Sequence, residues 1–75
     1  FILTSERREI FPVEVKHKKD IKQNDLNNLL IFLNEFSLNH GFLLYLGIKE
    51  RSIKRSGKTV TLIPYFELEK LIKTV

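Results

Sequence analysis

Between two strand-length apolar runs, Ile10–His17 and Phe42–Ile48, Leu26, Leu29, Leu30, Leu33 and Phe36 recur at helical spacing. A helix flanked by two strands is a crossover, the connection that joins parallel neighbours of one sheet. Asn27, Asn28, Asn34 and Glu35 fill the positions between the leucines, and Ile31 and Phe32 widen the apolar stripe, as in a helix packed across a sheet. Asn24 or Asp20 is expected to cap its start. Asn39-His40-Gly41 is expected to end it, with Gly41 at positive φ. The run Phe42–Ile48 does not alternate with polar residues, which implies burial on both faces in the middle of the sheet.

The remaining segments fall around that unit. Phe1-Ile2-Leu3-Thr4, the polar turn Ser5-Glu6-Arg7-Arg8 and the apolar residues from Ile10 read as an antiparallel hairpin. Pro12 cannot donate a ladder hydrogen bond, so the paired part of its strand is expected to run from Val13 to His17. A second hairpin is expected from Ser52-Ile53-Lys54-Arg55, the turn Ser56-Gly57 and Lys58–Ile63, closed by Pro64. Tyr65–Ile72 carries apolar residues at helical spacing, with Lys70 and Lys73 late, and reads as a final helix. The fold class is therefore α/β, with a mixed β-sheet and the order β-β-α-β-β-β-α.

At 75 residues the chain is one domain, 1–75, near the size at which a single core is marginal. No methionine is present, and the chain is read as a piece of a longer protein. It has no cysteine, which excludes disulfides and thiolate metal sites and fits a reducing cytoplasm. His17 and His40 are too few for a histidine-based zinc site. No apolar run approaches the roughly 20 residues needed to span a bilayer. The net charge of +4 suits an anionic partner such as nucleic acid, and equally an ordinary soluble surface.

The strand Ile10–His17 carries the candidate chemistry. Alternation puts Phe11, Val13 and Val15 on one face and projects Glu14 and Lys16 together from the other. The pattern fits an exposed ion pair on a half-buried strand. It also fits part of a phosphodiester-cleaving site, where Glu14 would ligate Mg²⁺ and Lys16 would orient water or offset charge on the attacked phosphate. One carboxylate does not complete such a site. Lys18, Lys19 and Lys22, just beyond the strand, are candidate nucleic-acid contacts, and Arg51, Lys54, Arg55 and Lys58 form a second basic group around the later hairpin.

Pro12-Val13-Glu14-Val15-Lys16 after a hairpin resembles the E-x-K half of the PD-(D/E)XK nuclease superfamily. More closely, Phe1-Ile2-Leu3, the helix containing Leu29 to Phe36, and the Gly57-Lys58 turn leading to Ile63-Pro64 resemble the DUF4143-type C-terminal domain of archaeal and bacterial AAA-type P-loop ATPases. That resemblance covers nearly the whole chain. It implies a restriction-endonuclease-like core lacking its N-terminal part, an upstream ATP-binding domain as neighbour, and DNA or RNA as partner. In that family an aspartate stands immediately before the pair equivalent to Phe1-Ile2. The resemblance thus implies Mg²⁺ held by Glu14 and by an aspartate outside this chain, whose 75 residues alone would be inactive. The Gln-x-x-x-Tyr helix signature of one branch of the superfamily is not matched, since Gln23 is followed at that spacing by Asn27. The alternative expectation is a catalytically inactive interaction or assembly module that retains the fold.

Overall fold

The computed structural model describes residues 2–74, apart from the side chains of Lys70 and Thr74. Phe1, with which the sequence opens the first hairpin, lies outside the described residues, as does the Lys70 side chain expected late in the last helix. The elements are β1 (Ile2–Thr4), β2 (Ile10–Val15), α1 (Gln23–Glu35), β3 (His40–Tyr45), β4 (Arg51–Arg55), β5 (Lys58–Pro64), a single 3₁₀ turn (Tyr65–Glu67) and α2 (Leu68–Thr74). They build one five-stranded sheet in the order β1-β2-β3-β5-β4. The central pairs β2–β3 and β3–β5 are parallel, while β1 and β4 close the two edges antiparallel. The mixed α/β class and the expected element order both hold.

The boundaries differ from expectation for identifiable reasons. β2 is paired from Ile10 to Val15, not from Val13 to His17. Among the described residues, Ile10–Pro12 pairs with β1 and Val13–Val15 with β3, so the proline, with no N–H to give, stands where the β3 ladder begins. Neither Asn24 nor Asp20 caps α1. Lys22 is the N-cap, and the Asp25 carboxylate, three residues on, accepts the Lys22 backbone N–H at 2.8 Å.

The helix ends before Asn39. Ser37 takes the left-handed conformation (φ 52°), Leu38 N–H donates to the Leu33 carbonyl at 2.8 Å, and Ser37 N–H donates to that of Asn34 at 3.3 Å. Gly41 is therefore no cap but part of β3. A Cβ there would stand 3.2 Å from Leu29 Cδ1, so the missing side chain lets α1 approach the sheet closely. β3 correspondingly begins at His40 and stops at Tyr45, leaving Leu46 and Ile48 exposed. The β4–β5 turn matches expectation: Ser56 and Gly57 have φ 51° and 76°, the two positive values of a two-residue hairpin whose twist suits the strands.

Each face of the sheet has its own core. On one, Leu26, Leu29 and Leu33 of α1 pack on Leu43, Tyr45, Val60 and Leu62. On the other, Leu71 of α2 packs on Val13, Phe42, Leu44 and Ile63. β3 contributes to both, which is why its sequence is apolar without alternation. No helix among the described residues is long and apolar enough to cross a membrane.

Candidate functional site

Glu14 is in register with Leu43, and Leu43 packs against α1, so Glu14 and Lys16 project from the α1 face of the sheet. Val13 and Val15 point the other way, into the α2 core. Strand alternation alone sets this division. The Lys16 ammonium lies 3.2 Å from Glu14 Oε2, with about a quarter of each side chain exposed. The Lys16 N–H still donates to the Leu44 carbonyl at 2.9 Å, so both groups ride on hydrogen-bonded sheet backbone. A partly exposed pair of this kind contributes at most about 1 kcal/mol to stability.

Glu14 also borders a shallow groove of about 300 Å³ between α1 and the β1–β2 edge, lined by Ile2, Pro12, Asn28, Leu29 and Phe32. One wall is thus charged and the others are largely apolar. Among the described residues, no group of three or more His, Asp or Glu side chains converges in a way that could hold a metal ion. Glu14 alone, already balanced by Lys16, does not fit a magnesium site, which takes oxygen ligands in near-ideal octahedral geometry.

The three expected nucleic-acid contacts differ in availability. Lys18 is engaged: its ammonium donates to both Asp25 oxygens, at 3.0 and 2.9 Å. Together with the Lys22 backbone N–H, that contact holds the Asp25 carboxyl below the usual carboxylate range, the backbone bond being the larger cause. Lys19 and Lys22 are exposed, and neither makes an ion pair among the described residues. The loop carrying all three is anchored at Lys18, whose carbonyl accepts the Leu46 N–H at 2.9 Å, and after Lys22 by α1.

Sequence reasoning did not find three features. Asp25 locks the basic loop to the helix; its place three residues after the N-cap was the available signal. Arg55 reaches across to α1, where its Nε donates to Gln23 Oε1 at 3.0 Å. On the α2 face, His40 Nε2 lies 2.8 Å from Thr61 Oγ1, which in turn lies 3.3 Å from Ser52 Oγ. The His40 ring also packs on Phe42 and, edge-on, against Phe11. Burial lowers the His40 pKa, favouring the neutral ring. These last two features join residues from different hairpins and helices, and no local spacing announces either.

Scanned against family models, the chain matches none, and the searches of curated proteins and of solved structures likewise return no match.

Proposed function

We propose that this chain is a nuclease-like α/β domain of the PD-(D/E)XK type, restriction-endonuclease-like in its core and borne by an AAA-type ATPase, which engages nucleic acid. The observation that carries the reading is the joint projection of Glu14 and Lys16 from one face of a sheet strand, immediately before a crossover helix and a parallel partner. The resemblance at Pro12-Val13-Glu14-Val15-Lys16 and the element order support it.

Phosphodiester cleavage in this reading belongs to the longer parent, since Glu14 needs a second carboxylate that the described residues do not supply. Continued by two residues, the antiparallel register of Ile2 with Pro12 would set the residue preceding Phe1 opposite Glu14. An aspartate there fits the proposal; an apolar or basic residue favours the alternative. What the present residues contribute is a carboxylate and an ammonium held 3.2 Å apart on rigid backbone.

The test is cleavage of DNA by the intact parent with Mg²⁺ or Mn²⁺. Glu14→Ala and Lys16→Ala are each expected to abolish it, and unchanged cleavage in both variants overturns the assignment. The groove beside Glu14 favours a second reading, a non-catalytic assembly module, because its Ile2, Pro12, Leu29 and Phe32 lining suits an apolar side chain better than a phosphate. A parent inactive on nucleic acid whose partner contacts are lost on Phe32→Ala would support that reading.

A further inference from the structure

Arg55, from the later basic group, reaches the start of α1 beside Lys22 of the earlier one, about thirty residues away in the sequence. Gln23 directly follows Lys22, and its side-chain oxygen accepts Arg55 Nε at 3.0 Å. A second Arg55 nitrogen, Nη1, donates to the Lys54 carbonyl of its own strand at 2.9 Å. Both acceptors are neutral, so the guanidinium keeps its full charge while its orientation is fixed. A guanidinium carries five N–H donors; two are engaged here, and the remainder are free for a ligand.

Arg51 projects from the same face as Arg55, since it is in register with Leu62 of the α1 core. Lys19, Lys22, Arg51 and Arg55 are all exposed, and none makes an ion pair among the described residues. Asp25, the acidic group nearest them in sequence on α1, is consumed by Lys18 and by the Lys22 backbone. Asp20, exposed in the loop, and Glu50, which directly precedes Arg51, are the opposing charges nearest these cations in sequence.

We propose that Lys19, Lys22, Arg51 and Arg55 form one phosphate-binding surface across the start of α1 and the β4 edge, with nucleic-acid backbone as its partner and Arg55 as its fixed cation. It rests on the nucleic-acid reading above. An arginine fork matches phosphate bidentately, and one held in advance loses less entropy on binding. Backbone phosphate is favoured over a peptide because Ile21 and Ile53, the apolar residues lying between these cations in the sequence, turn inward against the α1 core. Recognition of this kind is independent of base sequence and sensitive to salt.

The test is fluorescence anisotropy of a labelled DNA duplex with the intact parent protein over a range of salt. Arg55→Gln and Lys22→Gln should each weaken binding about tenfold at low salt and lower the salt slope by about one. Gln23→Ala, which removes no charge, should weaken binding less and leave the slope unchanged, and Arg55→Lys should fall between wild type and Arg55→Gln. Unchanged affinity and slope in both Arg55→Gln and Lys22→Gln, with circular dichroism intact, overturns the proposal. Displacement of the DNA by polyglutamate at equal charge concentration overturns the choice of partner. Glu14→Gln separates the two readings: cleavage that survives it defeats the nuclease assignment, whereas this surface fails only if binding is indifferent to Arg55 and Lys22.

Discussion

The two faces of the sheet are held by unequal means. On the α1 face, a thirteen-residue helix is fixed at both ends, by the Asp25 carboxylate at its start and by the Ser37 and Leu38 amide bonds at its close. The α2 face is covered by a seven-residue helix entered through a 3₁₀ turn, and beyond it by a side-chain network of His40, Thr61 and Ser52. Glu14, Lys16 and Arg55 all belong to the α1 face. The groups proposed to meet phosphate are thus borne by the side of the molecule whose helix has the less freedom to shift, as positional precision requires.

Paired truncations test that inequality most strongly. Leu33 and Leu71 are both fully buried, one under each helix. Leu33→Ala should cost about 4 kcal/mol, since α1 is held at both ends and cannot close the cavity, and Leu71→Ala about 2 kcal/mol, since a seven-residue helix entered through a 3₁₀ turn can settle inward. Thermal or urea denaturation measures both, and equal losses would break the comparison. Gly41→Ala comes next: a methyl group 3.2 Å from Leu29 Cδ1 should cost about 1 kcal/mol and displace α1, read as a chemical-shift change at Leu29.

The pH response should separate the faces further. His40 has a pKa lowered by burial, so the unfolded chain takes up a proton before the folded one does. Its contribution to stability is complete above the ordinary histidine value of about 6.5 and is lost as pH falls through the folded pKa. His40→Gln should remove that part of the slope in a pH series of melting curves; an identical slope would exclude His40 as its source. Asp25 acts lower on the scale, its stabilisation present above the ordinary carboxylate range and lost as pH falls through its depressed value. Asp25→Asn should have the smallest effect on melting, and by releasing Lys18 it should tighten rather than weaken DNA binding.

Much of this architecture was legible because it rests on local periodicity. The α1 stripe, the unalternating β3 and the Ser56-Gly57 turn each follow from side-chain spacing or a φ requirement. The common face of Glu14 and Lys16 was legible for the same reason, since residues two apart in a strand share a side. The errors lay at ends: Gly41 looked like a helix terminus, but Ser37 accepts the left-handed conformation while Gly41 is needed for close packing against Leu29. Glycine has both uses, and spacing does not tell them apart.

The sequence by itself determined the alternation of β2, the amphipathic helix after it and the parallel pairing that a crossover imposes, all consequences of backbone geometry repeating over a few residues. Only the tertiary structure decided which charges are available. Lys18 is spent on Asp25, Lys16 on Glu14, and Arg55 keeps its charge because Gln23 holds it without neutralising it. Counting cations along the chain treats them alike; their partners, drawn from elements distant in sequence, make them different, because an ion pair or a neutral hydrogen bond is a matter of a few ångströms in space.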